Sequence, residues 1–158
     1  MKKIILILAG LWLSISMFAQ KKDFINIFNK YENIDRVSVV SISPGLVFSS
    51  NKSDENNETS EIVKQLKLLK ILSVSIENES DKALSEKLIK DVKNYVSSRD
   101  MHELMYVKDK NEIVRIHNSK DELIFLLLDE DETSVIYIRG NITKTVTDAV
   151  LDGTISIN

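Results

Sequence analysis

The sequence predicts an α+β domain in two layers, with helices packed on one face of a mainly antiparallel sheet that ends in a four-strand meander. Three observations carry that reading. Apolar residues recur at helical spacing near Phe24 and again from Leu84 to Val96. Four runs of strand length follow one another after His102. The gaps between those runs are short and polar, which makes consecutive strands antiparallel neighbours.

From Asp23 to Asn33, Phe24, Ile27, Phe28 and Tyr31 fall on one helical face, and Asp23 is placed to cap the first turn. Val37 to Ser43 (VSVVSIS) is β-branched and nearly alternating, so it reads as a strand ending at Pro44-Gly45. Ser49 to Ser60 contains no apolar residue and is expected to form a mobile surface loop, because it has no burial to offset its ordering entropy. Glu61 to Leu69 is expected to be helical and to run into a strand from Ile71 to Ile76. Ser80-Asp81 opens the strongest helix, with Ser80 as its N-cap and Leu84, Leu88, Val92, Tyr95 and Val96 on one face.

The four meander strands are His102–Asp109, Glu112–His117, Glu122–Asp129 and Thr133–Gly140. The third is apolar on both faces and belongs at the centre of the sheet. Thr143 then caps a last helix that turns Val146, Ala149 and Val150 inward and stops at Gly153.

The N-terminus has the three parts of a secretory signal peptide: Lys2 and Lys3, an apolar run from Ile4 to Phe18, and Ala19-Gln20 at the expected cleavage point. The run is short for a bilayer-spanning helix and charged residues follow at once, so no stable membrane span is expected in the mature chain. Residues 1–19 are therefore read as leader and residues 20–158 as one domain, exported to the periplasm or beyond. The chain has no cysteine, which excludes both a lipoprotein anchor and disulfides. Lys2 and Lys3 leave with the leader, so 21 basic residues become 19 against 24 acidic ones, a formal charge of −5. That balance argues against nucleic acid as a partner, since phosphate neutralisation needs a basic surface.

Several segments in order carry a family resemblance: F-x-x-x-F-x-x-Y at Phe24, Phe28 and Tyr31; the V-S-V-V-S-I-S strand; L-K-x-L-K-I-L-S from Leu66 to Ser73; M-x-E-L-M-Y-V-K-D from Met101 to Asp109; and I-Y-I-R-G-N-I from Ile136 to Ile142. Together they resemble the domain of unknown function 4252 family of exported Bacteroidota proteins, over essentially the whole mature chain. The resemblance implies no activity and no catalytic residues. It implies a link to envelope sensing or stress, because members are often encoded near extracytoplasmic-function sigma factors. Many members carry a lipobox, from which this chain departs.

No residue pattern carries recognisable catalysis. Serines are plentiful, but none sits in G-x-S-x-G, and there is no glycine-rich phosphate loop. Continuing the Lys110-Asn111 turn as a two-residue hairpin pairs residues whose numbers sum to 221. That places His102, Leu104, Tyr106, Arg115 and His117 on an outer face, with Glu103 on the other. Two histidines fall short of a zinc site, and the acidic turn Asp129 to Glu132 lacks calcium-loop spacing. No cofactor and no metal are expected, and the four N-x-S/T matches are read as accidental.

The candidate contact residues are Arg115, Tyr137 and Arg139, read as outer-face anchors of the residue types favoured at interfaces. Leu46 and Phe48, in the loop after Pro44, are a second pair. The function expected from all this is a non-catalytic envelope module that binds a protein or small ligand. The alternative is a hydrolase or metal-dependent enzyme with an unfamiliar site.

Overall fold

A computed structural model describes residues 23–44 and 64–151. The leader, the polar segment 49–60, Leu46, Phe48 and Gly153 lie outside the described residues. The elements run α1 (Ile25–Tyr31), β1 (Val37–Ile42), β2 (Leu66–Ser75), α2 (Glu79–Ser98), β3 (His102–Asp109), β4 (Glu112–Asn118), β5 (Glu122–Leu128), β6 (Glu132–Gly140) and α3 (Lys144–Leu151). The strands form one sheet in the order β1-β2-β6-β5-β4-β3, antiparallel at every step. The fold is α+β, and the meander β3 to β6 is present as expected, with β5 and β6 at its buried centre.

Two local expectations are corrected. Leu66 to Leu69 belongs to β2 rather than to a helix. This strand lies between β1 and β6, and Leu66, Leu68 and Leu69 supply apolar contacts on both faces, which removes the alternation that marks a half-buried strand. The cap of α2 is Asn78, whose side chain accepts the Asp81 N–H at 3.0 Å, while the Asp81 carboxylate accepts the Glu77 N–H at 3.1 Å. The expected Thr143 cap is present, its hydroxyl oxygen 3.4 Å from the Val146 nitrogen.

Helices α1 and α2 cover one face of the sheet. There Phe24, Phe28, Tyr31, Leu88, Val92 and Tyr95 pack on Leu72, Val74, Ile124, Leu126, Val135 and Tyr137. The Phe24 ring stacks on Tyr137 at 4.7 Å and meets Tyr95 edge-on at 4.9 Å. Burial of side chains of this size stabilises by about 1.5–3 kcal/mol each.

By strand alternation, Leu123, Ile138 and Ile116 point to the opposite face. Ile142 and Val146 cover one end of that face, packing on Leu66, Ile116, Leu123 and Ile138. Beside this small core, one cross-strand row, Val40–Ile71–Ile136–Phe125–Ile116–Met105, crosses all six strands. Among the described residues no helix is long and apolar enough to cross a membrane.

Candidate functional site

The helix layer leaves a cleft of about 300 Å³ between α2 and β4. Its floor is Val92, Val96 and Leu126, and its rim is Lys93, Ser97, Arg115 and His117. Helical spacing accounts for the first set: Val92 and Val96, four apart, face the sheet, and Lys93 and Ser97 lie one step round the helix. Alternation along β4 accounts for Arg115 and His117.

What meets Arg115 and His117 from beyond the rim depends on an irregularity in β3. The two-residue hairpin register holds from Asp109↔Glu112 to Met105↔Ile116 and then shifts, so that Glu103 pairs with His117 and His102 with Asn118. One extra residue in β3 therefore reverses the expected sides beyond the bulge. Glu103 shares the face of Arg115 and His117, and His102 goes to the other face, so the two histidines are not diagonal neighbours.

Glu103 accepts a hydrogen bond from Arg115 Nη1 at 2.9 Å, and the same oxygen lies 3.4 Å from His117 Nε2. The guanidinium carbon is 4.4 Å from the centroid of the Tyr106 ring, within range of a cation–π contact. Arg115 is thus held by a carboxylate on one side and a ring on the other. Burial lowers the His117 pKa; the Glu103 charge pulls it back up and the Arg115 charge lowers it again, with a net decrease. The ring is accordingly neutral at neutral pH. Its Nδ1 is buried and makes no hydrogen bond.

With Arg115 and Lys93 positive and Glu103 negative, the cleft favours an anion whose apolar body can rest on Val92, Val96 and Leu126. Ser97, His117 and Glu103 are residue types of a nucleophile–base relay, but the bond that would join the first two is missing, since Nε2 faces Glu103 and Nδ1 is unpaired. Among the described residues no three His, Cys, Asp or Glu side chains converge as a metal site.

The expected trio Arg115, Tyr137 and Arg139 does not come together. Tyr137 is fully buried. Alternation does put Val135, Tyr137 and Arg139 on one face, but that face lies under α1 and α2, so Tyr137 is a core residue and not a surface anchor. Arg139 stands at the margin of the same core, its Nη1 3.5 Å from Asp23 Oδ2. Arg115 alone lines the cleft.

A buried polar cluster has no counterpart in the sequence reading. Glu122 Oε1 accepts the hydroxyls of Tyr95 at 2.7 Å and Tyr137 at 2.8 Å, and Arg99 Nε donates to the Tyr95 hydroxyl oxygen at 3.1 Å. Burial, then the bonds to Glu122, push both phenols above their ordinary range. Glu122 opens a strand after a polar turn and Tyr95 sits on an apolar helix stripe, so no sequence pattern joins them. Between α1 and α2, Asp91 accepts from Lys30 and Tyr31. Burial alone would raise the Asp91 pKa, but these two bonds, with the charges of Lys30 and Lys87, outweigh it and hold the carboxyl below its usual range.

No curated protein and no solved structure matches the chain. Residues 31–146 match the family described as Domain of unknown function (DUF4252). That span runs from the end of α1 to the middle of α3 and takes in all six strands and the whole cleft, so the chain belongs to the DUF4252 family.

Proposed function

We propose that this chain is an exported, non-catalytic binding module of the cell envelope, and that the cleft between α2 and β4 receives a carboxylate-bearing group of a protein or small ligand. The observation that carries the reading is Arg115, fixed by Glu103 and Tyr106 beside Lys93 and above an apolar floor. A prearranged guanidinium loses little freedom on binding and matches a carboxylate in shape. Export rests on the leader pattern, and a part in envelope stress sensing rests on the family resemblance.

Medium-chain carboxylates titrated into the purified protein test the site. Amide shifts are expected at Val92, Val96 and Arg115, and Arg115→Ala is expected to weaken binding about tenfold or more, the loss of a charge-assisted hydrogen bond. Shifts scattered over the surface, or binding unchanged by Arg115→Ala, would sink the proposal. N-terminal sequencing of the chain recovered from fractionated cells tests export.

The second reading is a hydrolase, favoured by Ser97 and His117 on the rim of one cleft with Glu103 against the His117 ring. Turnover of an ester panel that is lost in both Ser97→Ala and His117→Ala would select it. Turnover that survives both changes would remove it.

A further inference from the structure

We infer that β1 is a pairing edge and that its partner is β1 of a second copy, antiparallel across a two-fold axis with Val40 opposite Val40. The two edges of the sheet are built differently. The β3 edge carries His102, Glu103, Lys108 and Asp109 and is broken by a bulge, devices that discourage strand addition. The β1 edge reads VSVVSI, with no charge and no proline, and its register to β2 is unbroken over six residues. Val40 is 47% and Ile42 37% exposed. Among the described residues no strand lies beyond β1.

The backbone allows the pairing. The Arg36 carbonyl accepts the Ser75 N–H at 3.2 Å, so it points toward β2. The trans peptide turns the Val37 N–H away from β2, where the Ile34 carbonyl accepts it at 3.2 Å, and alternation turns the N–H and C=O groups of Val39 and Ser41 outward, which leaves these two residues to pair. A two-fold axis normal to the sheet keeps each face on its own side and requires opposed residues to have an even sum. The register that sets Val40 on Val40 also sets Val39 on Ser41 and Ser38 on Ile42.

The occupant is a second copy for two reasons. β1 is uncharged on both faces, so a second copy brings no charge against Val39, Val40 or Ile42. The apolar row that ends at Val40 then continues into the other copy and covers the most exposed valine of the edge. The charges flanking β1 are balanced, Asp35 and Glu77 against Arg36 and Lys70, so no like-charge field opposes the approach. Six-residue edge pairing is smaller than the roughly 800 Å² per partner of a standard interface, so the association is reversible and concentration-dependent.

The absence of native cysteine makes a direct test available. Directly opposed residues in a non-hydrogen-bonded pair have Cβ atoms about 4.5–5.5 Å apart, near disulfide distance. Under mild oxidation of the purified protein, Val40→Cys is expected to form covalent dimer at least tenfold faster than Val107→Cys, a comparably exposed position on the β3 edge. Ser38→Cys mixed with Ile42→Cys is expected to cross-link, while each alone is not. Sedimentation of the unmodified protein is expected to show dimer growing with concentration, and Val40→Lys is expected to stay monomeric. Equal rates at positions 40 and 107, cross-linking at 40 without the 38–42 pair, or a monomer at every concentration would each overturn the inference.

Discussion

Glu103 lies opposite His117, with one carboxylate oxygen 3.4 Å from the ring Nε2 and 2.9 Å from Arg115 Nη1. The acid would favour a charged imidazole, but burial and the neighbouring guanidinium prevail and the His117 pKa falls below 6.5. The unfolded chain therefore takes up this proton before the folded one does. Linkage then gives the sign: the His117 contribution to stability is fully present above the unfolded value and is lost as pH drops through it, until the folded ring titrates too. Urea midpoints should fall between about pH 7 and about pH 5, and His117→Gln should remove its part of that slope. Glu103→Gln should lower the His117 titration further when followed by NMR. A titration that moves upward in Glu103→Gln would contradict the arrangement.

Glu122 makes a different prediction, since it is buried and takes two phenol hydrogen bonds on one oxygen. Tyr95→Phe or Tyr137→Phe should each cost about 2 kcal/mol, as for a bond to a charged group. Glu122→Leu should cost more, because it leaves two buried hydroxyls without their acceptor. Denaturant unfolding of the single and double tyrosine variants should show non-additivity, since both bonds end on the same oxygen. Both phenols have folded pKa values above 10.0, so the stability they contribute is present below that pH and is lost as pH rises above it.

The strand count, the meander, the central place of β5 and the cap at Thr143 were legible because each is a short-range pattern: period, turn length or capping residue. The family was legible from the order of segments. The cleft was half legible. Alternation finds Arg115 and His117 on one face and the hairpin turn finds Tyr106 beside them. Glu103 was misplaced because a bulge costs one residue and leaves no mark in HELMYVKD, where either parity gives a tolerable strand. Tyr137 was correctly grouped with Val135 and Arg139 but assigned to the wrong side, because both sides of this sheet are apolar and alternation alone does not say which one α1 and α2 cover. The same ambiguity made Leu66–Leu69 look helical.

The start of α2 separates the cap expected from the sequence, Ser80, from the one the structure uses, Asn78. The side chain of Asn78 accepts the Asp81 N–H, and Ser80 already lies within the helix. Asn78→Ala should therefore destabilise by about 1 kcal/mol, while Ser80→Ala should be neutral or slightly stabilising, since alanine is the better helix former. Thermal melts of the two variants check this, and equal losses would mean that the cap is misassigned.

Gly140 closes the sheet against β2 at a point where no side chain fits. A Cβ there would stand 2.3 Å from the Gln65 carbonyl oxygen and 2.9 Å from the Leu66 Cα, both backbone atoms that cannot rotate away. The approach is this close where the β2–β6 register shifts between Leu66 and Leu68, and where Gly140 donates to the Asp121 carbonyl at 3.1 Å. Gly140→Ala must push β2 away from β6 or break that bond, so the expected loss is about 1–3 kcal/mol, the cost of overpacking. Gly140→Val should lose more. Urea unfolding measures the loss, and hydrogen exchange should show the amides around Leu66 and Ile138 opening first. An alanine variant as stable as the parent would mean that the two strands do not approach this closely.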